Sequence, residues 1–139
     1  MSRVSFDFDK TLSKEHVQKY AKELIMQGHE VWVTTSRYDE AHIHLYNRAD
    51  WTEAGQEDLW EVVDRLGIPR WHVRFMNMEP KWTYLDRTHF VWHLDDDEVE
   101  LSNARHHGCS VPMIQVQSGG WKQKCDRLLK KKDGSQTTE

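Results

Sequence analysis

The sequence has few cysteines, no long apolar run and no strong excess of charge of either sign. Its two cysteines, Cys109 and Cys125, lack the spacing to a further Cys or His that a zinc site needs, so we expect two free thiols. No apolar run approaches the ~20 residues of a membrane span, and the first strand begins without a leader segment. The net charge of -4 argues against general nucleic-acid binding, although a local basic site stays possible. We therefore expect a soluble, cytoplasmic protein.

The length of the chain bounds its architecture. At 139 residues it suffices for one domain with a five-stranded sheet covered by helices, and it is too short for a second lobe. A last amphipathic helix is expected over residues 121–129, so we place the domain at residues 1–129. Residues 130–139 begin with three lysines and are expected to form a flexible charged tail.

Hydrophobic patterning predicts strands that alternate with helices. Runs rich in β-branched and aromatic residues predict five strands, at residues 4–8, 31–35, 71–76, 90–94 and 111–116. An apolar stripe predicts a helix over 17–25, with Ser13 as its cap and Gly28 as its end. Another stripe predicts a helix over 59–66. The alternation makes parallel right-handed units, so the fold class is α/β, a Rossmann-like three-layer sandwich with a mainly parallel sheet, and Pro112 favours an edge position for the fifth strand.

Two acids directly follow the first strand. Asp7 and Asp9 should lie at the carboxyl end of a buried strand, which is the edge where open parallel sheets bind ligands. Carboxylates so close together raise each other's pKa unless a cation or hydrogen bonds hold them ionised. A divalent metal ion is the simplest such cation. The alternative is an acidic turn without a function.

Three further polar groups stand near the ends of later strands. The second strand ends in residues 34–37, where alternation places Thr34 and Thr35 on opposite sides. Lys81 precedes the fourth strand, although a single lysine in this position is also compatible with an ordinary solvated side chain. Residues 95–97, three consecutive aspartates, follow that strand, where a solvated acidic loop is the alternative to a metal site.

The order of these groups resembles that of the haloacid dehalogenase superfamily, which consists mostly of phosphatases and phosphotransferases. The family's four motifs are matched by Asp7-x-Asp9-x-Thr11, by Thr35-x-Arg37, by Lys81 and by Asp95-Asp96. The resemblance covers nearly the whole chain. It implies a sheet in which the first strand is central and the second and fourth strands flank it, so that all four motifs meet.

The resemblance implies a phosphomonoester hydrolase that depends on Mg²⁺. Asp7 is expected to be the nucleophile that forms an aspartyl-phosphate, and Asp9 the general acid and base. Thr35 and Lys81 complete the expected catalytic set. The expected metal ligands are Asp7, Asp9 through its backbone carbonyl, Asp95 and Asp96. Because Asp97 is a third consecutive aspartate, the sequence leaves open which of the three binds the metal.

Substrate contacts are expected around the same motifs. The backbone N–H groups of Phe8 and Asp9 should hold phosphoryl oxygens, together with Ser36 and Arg37. Thr11 should orient the loop around Asp9. Members of the family that cleave carbon–halogen bonds generally lack an acid at the position of Asp9, so the resemblance favours a phosphatase over a dehalogenase.

The chain leaves no room for a substrate cap. Only 18 residues separate Leu12 from Val31, and only four separate Met76 from Lys81, so neither gap can hold a cap domain. An open site suits nucleotides, nucleic-acid ends or proteins as phosphorylated substrates, with residues 39–57 as their rim. The alternative is an inactive family-like or receiver-like module that binds phosphate or metal, although a receiver would carry its phosphorylated Asp on a middle strand.

Overall fold

The computed structural model describes residues 2–43 and 56–137 of the chain. Most of the expected substrate rim, residues 44–55, therefore lies outside the described residues. Within them, the strands are β1 Arg3–Phe6, β2 Glu30–Thr35, β3 Val73–Phe75, β4 Phe90–Asp95 and β5 Met113–Gln115. The helices are α1 Glu15–Met26, α2 Glu57–Leu66, α3 Trp82–Leu85, α4 Glu98–His106 and α5 Trp121–Thr137.

The five strands form one sheet in the order β3-β2-β1-β4-β5, and every neighbouring pair is parallel. The predicted α/β class and the predicted parallel sheet are confirmed. The central place of β1, with β2 and β4 on either side, is as expected. Pro112 directly precedes β5, which is an edge strand, so the missing N–H of this proline interrupts no central pairing.

Helices cover both faces of the sheet. On one face, α1, α2 and α5 bury apolar side chains against Phe6 of β1 and Trp92 of β4. The rings of Phe6 and Trp92 meet edge to face at 5.3 Å between centroids, which fixes the two central strands relative to each other. On the other face, Leu85 of α3 packs against Phe90 and Val111, and α4 contacts α3, β4 and β5. The result is a Rossmann-like three-layer sandwich.

Several boundaries differ from the predicted ones. The prediction that Ser13 caps α1 is wrong: Lys14 occupies the cap position, and Ser13 Oγ accepts the N–H of Lys10 at 3.0 Å instead. β1 ends at Phe6 because a tight turn, Phe8–Leu12, follows at once with Lys10 in the left-handed region at φ 58°. β3 begins only at Val73 because residues before it form a 3₁₀ turn.

The last helix is longer than the sequence predicted. α5 continues to Thr137, beyond residue 129 where the expected tail begins. Lysine and glutamine are good helix formers, so the charged segment can extend a helix that the core has already nucleated. Among the described residues, no helix has both the length and the apolar character needed to cross a membrane.

Candidate active site

Two neighbouring strands place two carboxylates side by side. Phe6 of β1 pairs with Leu94 of β4, and the next N–H, that of Asp7, donates to the Leu94 carbonyl at 2.8 Å. Asp7 and Asp95 each follow these paired residues, so both reach the carboxyl edge of the sheet. Both side chains are buried. The central pairing of the sheet thus forces two acids together out of contact with water.

Lys81 lies between these two acids. Its Nζ donates to Asp7 Oδ1 at 2.8 Å and to Asp95 Oδ2 at 2.6 Å, and only 2% of its side chain is exposed. Its backbone N–H donates to Glu100 Oε2 at 3.0 Å, so the lysine is held at both ends. Glu100 therefore holds the lysine backbone. We call Asp7, Lys81 and Asp95 the lysine cluster.

Burial opposes charge on every member of the lysine cluster, and the pairing decides which charges persist. Burial alone would raise the pKa of Asp95, but the hydrogen bond from His93 and the charge of Lys81 hold it well below its usual value. Burial alone would lower the pKa of Lys81, but Asp7 and Asp95 raise it above its usual value. Burial raises the pKa of Asp7, which Lys81 only partly offsets and the charge of Asp95 adds to. Full ionisation of Asp7 therefore calls for one more cation.

A third carboxylate gives that cation a place. Asp7, Asp95 and Asp96 each offer one oxygen atom, and these three atoms lie within 4.8 Å of one another. Carboxylate oxygens are the ligands that Mg²⁺ takes in proteins, so this donor set fits the ion. Asp97 has another task, since its Oδ1 accepts the N–H of Val99 at 2.9 Å and caps α4. Of the three consecutive aspartates, the first two belong to the carboxylate group and the third is a helix cap.

The carboxylate of Asp9 lies outside that group and binds Arg37. Arg37 Nη2 donates to Asp9 Oδ1 at 2.7 Å, and Nε donates to Oδ2 at 3.0 Å. The same guanidinium binds both oxygens of Asp58 on α2, at 2.9 and 2.8 Å. The side chains of Asp9 and Asp58 are 57% and 61% exposed, whereas that of Arg37 is 17% exposed. We call Asp9, Arg37 and Asp58 the arginine clamp.

The other predicted site residues shape the loops around these two groups. Thr11 is buried, and its Oγ1 donates to Asp7 Oδ2 at 3.4 Å. Thr35 Oγ1 accepts the N–H of Arg37 at 3.2 Å. The carbonyl of Ser36 accepts the N–H of Met78 at 2.8 Å, which joins the end of β2 to the loop before Lys81.

Phe8 belongs to the core. Its side chain is 1% exposed, and the guanidinium carbon of Arg37 lies 4.9 Å from the centre of its ring. An arginine over an aromatic face gains both packing and cation–π attraction. The ring of Phe8 thereby helps to hold the arginine clamp. This role of the ring is separate from the phosphate contact that is expected of the Phe8 backbone N–H.

The sequence analysis missed three buried polar residues behind the lysine cluster. Ser5, Thr34 and His93 are fully buried, and hydrogen bonds of 2.8 Å join Thr34 to Ser5 and Ser5 to His93. His93 Nε2 in turn lies 2.8 Å from Asp95 Oδ2. Polar residues inside otherwise apolar strands were the signal. The two-residue period of a strand puts Ser5 on the face of Asp7 and His93 on the face of Asp95.

The geometry combines a buried cation, three convergent carboxylates and a second, partly buried cation near one sheet edge. Such a site can hold a divalent metal ion on its carboxylates and an anionic group next to its cations. These contacts determine what chemistry the site can support. A comparison of the chain with protein-family models, curated proteins and solved structures gave no significant match.

Proposed function

We propose that this chain is a Mg²⁺-dependent phosphomonoester hydrolase that resembles the haloacid dehalogenase superfamily and acts through an aspartyl-phosphate on Asp7. The supporting observation is the contact of buried Lys81 with both Asp7 and Asp95 beside a third carboxylate. Removing such charges from water costs several kcal/mol per ion, of order of the whole stability of a domain. A catalytic function gives a reason for that cost, and a purely structural function does not.

The charges of the lysine cluster suit attack on a phosphate ester. A phosphomonoester is anionic and repels a carboxylate nucleophile, so positive charge must lie next to both. Lys81 supplies one such charge at 2.8 Å from Asp7 Oδ1. Mg²⁺, when bound, supplies further positive charge to the carboxylate and the phosphoryl oxygens. Thr11 contacts the other oxygen of Asp7, so the carboxylate is fixed in orientation while it attacks.

Asp9 is the proposed general acid and base. It protonates the leaving oxygen and then takes a proton from the water that attacks the aspartyl-phosphate. In the described conformation its carboxylate, which is 57% exposed, is bound to Arg37, so Asp9 keeps water as a partner when this pair opens. A phosphate group that draws on the charge of Arg37 weakens this hold. Release of Asp9 therefore precedes catalysis.

The proposed substrates are phosphorylated nucleotides or polynucleotide ends. Between β1 and β2 the described chain holds the tight turn Phe8–Leu12 and α1, and between β3 and α3 it holds only a short loop. Neither connection carries a cap over the carboxyl edge of the sheet. An uncapped edge admits a phosphate that is attached to a larger molecule, and Arg37 can bind a pair of its oxygen atoms once Asp9 is released.

The first experiment compares Asp7→Asn with the wild-type chain on an aryl phosphate. With millimolar Mg²⁺ the wild type should turn over and the variant should not, since an amide is neither a nucleophile nor an anionic ligand. The matched control is Asp64→Asn, the same change at an exposed acid paired with Arg70. Full activity in the presence of a chelator, or turnover by Asp7→Asn, would exclude the proposed mechanism. A panel of phosphorylated metabolites, nucleotides and 3′- or 5′-phosphorylated oligonucleotides then identifies the substrate class.

The second candidate function is a phosphate- or metal-binding module without turnover. The observation that favours it is the arginine clamp, which holds the carboxylate of Asp9 away from the other acids. Binding of Mg²⁺ to the folded chain alone raises the melting temperature, and Asp96→Ala should remove most of that rise. A rise in melting temperature without turnover on any substrate of the panel would favour the module. No rise would contradict the Mg²⁺-dependent hydrolase and the metal-binding form of the module, and would leave a phosphate-binding module as the better function.

A further inference from the structure

A chain of buried polar side chains crosses three strands and ends on Asp95. It runs from Thr34 Oγ1 to Ser5 Oγ, from Ser5 Oγ to His93 Nδ1 and from His93 Nε2 to Asp95 Oδ2, with 2.8 Å at each step. All four side chains are fully buried. Buried polar groups destabilise a fold unless each one is satisfied, so the direction of every hydrogen bond in this chain matters.

The two groups that lie within hydrogen-bond distance of Asp95 Oδ2 determine which atom donates in each of these hydrogen bonds. Lys81 Nζ and His93 Nε2 both lie within hydrogen-bond distance of the same oxygen, Asp95 Oδ2, at 2.6 and 2.8 Å. An ionised carboxylate only accepts hydrogen bonds, so His93 Nε2 carries a proton. A cationic imidazole would then lie beside the ammonium of Lys81, because both groups bind the same oxygen atom. The ring is therefore neutral, with its single proton on Nε2.

A neutral ring fixes the rest of the chain. With the proton on Nε2, His93 Nδ1 is an acceptor, so the hydroxyl of Ser5 donates to it. The oxygen of Ser5 then accepts the hydroxyl proton of Thr34. Each hydrogen bond in this series of side chains is therefore donated in the direction of Asp95. The alternative tautomer would leave two acceptors facing each other at 2.8 Å.

The same contacts limit how Asp95 can bind a cation. Asp95 Oδ2 accepts two hydrogen bonds, which occupy its two lone pairs, and Oδ1 accepts the N–H of Asp97 at 3.0 Å. Within residues 2–43 and 56–137, no further donor takes the second lone pair on Oδ1.

We propose that His93 is a positioning residue, held as the Nε2–H tautomer by Ser5 and Thr34, which turns Asp95 so that Oδ1 alone binds the divalent cation. The identity of that cation as Mg²⁺ rests on the proposed function. The tautomer of His93 and the orientation of Asp95 do not. Residues that orient a ligand in this way typically contribute about 10–100-fold to metal affinity.

The first test is ¹⁵N NMR of the metal-free wild-type chain, with His93 assigned by comparison with His93→Gln. The expected spectrum shows a protonated Nε2 and an unprotonated, hydrogen-bonded Nδ1. Ser5→Ala should shift the Nδ1 resonance because its donor is lost. A ring protonated on Nδ1, or on both nitrogens, would overturn the inference without any use of cation or substrate.

The second test is calorimetric Mg²⁺ binding without substrate. His93→Leu should bind Mg²⁺ at least about tenfold more weakly than the wild type, and His93→Gln, which keeps an N–H near the Nε2 position, should stay within about threefold. His72→Gln is the matched control, since His72 is a buried histidine that lies against Val31 O outside the site. Equal affinity in His93→Leu and the wild type, or no Mg²⁺ binding by the wild type, would overturn the inference. Failure of the proposed function looks different: Mg²⁺ binds and His93 behaves as expected, but no phosphate ester turns over.

Discussion

The lysine cluster and the arginine clamp lie at the same edge of the sheet. Each of them consists of one cation between two carboxylates. In the lysine cluster all three side chains are buried, whereas in the arginine clamp both acids are more than half exposed. The cations differ as well. Lysine is a compact point charge on a flexible stem, and arginine presents a planar fork to each acid.

This difference separates a fixed charge from a movable one. Breaking a buried pair leaves an uncompensated charge in the interior, so the lysine cluster keeps a single arrangement. Opening the Asp9–Arg37 pair returns to water a carboxylate that is already 57% exposed, while Arg37 keeps Asp58 as its partner. A nucleophile has to be fixed and an acid–base group has to move, so Asp7 suits the first setting and Asp9 suits the second.

Removing the central cation of the lysine cluster should have the largest effect. Lys81→Met leaves Asp7 and Asp95 facing each other in the interior, and we expect the free energy of unfolding to fall by about 3–5 kcal/mol in urea titration. The control is Lys122→Met, because Lys122 lies 3.4 Å from Glu23 with both side chains exposed. A loss in Lys81→Met no larger than in the control would mean that the buried charges are not energetically coupled.

The acid of the arginine clamp should matter for chemistry rather than for stability. With a poor leaving group, Asp9→Asn should slow hydrolysis by about 10²-fold or more, since general acid–base help is worth ~10²–10⁴. The loss should shrink for nitrophenolate, which leaves without a proton. Asp58→Asn removes the other acid of the clamp and should slow turnover far less. The same loss for every leaving group would show that Asp9 acts in another way, such as holding the metal.

The fold could be predicted because its determinants are local. Alternating apolar runs and helical stripes were enough for five parallel strands, and the resemblance to a known family added the central place of β1. Asp7 and Asp95 could be placed at one edge because parallel strands end together. The boundary errors, at Ser13 and at the start of β3, arise where tight turns compete with regular structure.

The missed parts of the site depend on contacts between distant residues. No sequence pattern shows that Arg37 binds Asp58, because the two belong to different elements and meet only in the folded chain. The buried chain behind Asp95 had a weak signal, one Ser and one His inside apolar strands. A polar residue in a strand is common at edges and exposed faces. It indicates a buried polar site only when the strand is central, as β1 and β4 are.

Asp58→Asn should lower stability by less than about 1 kcal/mol, the usual range for an exposed ion pair. The physical reason is that Asp58 is largely solvated and keeps water as a partner. The loss should also shrink in 1 M salt, whereas the loss in Lys81→Met should persist, because salt screens exposed charges and barely reaches buried ones. Equal salt sensitivity of the two variants would contradict the comparison.

The smallest expected effect is on the titration of Asp58. Hydrogen bonds from Arg37 and its charge lower the pKa of this carboxyl in the folded chain. A lowered folded pKa stabilises the fold above the ordinary pKa of ~3.9, and this contribution is lost as the pH falls through the folded value. NMR titration of the side-chain carboxyl should show the lowered midpoint in the wild type. In Arg37→Gln the midpoint should return toward the ordinary value, and an unchanged midpoint would contradict the assignment.

The span of the Lys81–Asp7 contact along the chain has a consequence for how the protein is made. These residues are 74 positions apart, and β4, which supplies Asp95, is later still in the sequence. Closing loops of this length is slow, and parallel pairing delays it further. During synthesis, most of the chain must therefore leave the ribosome before Asp7, which follows the N-terminal strand, can contact Lys81. The proposed metal site is accordingly complete only at the end of folding.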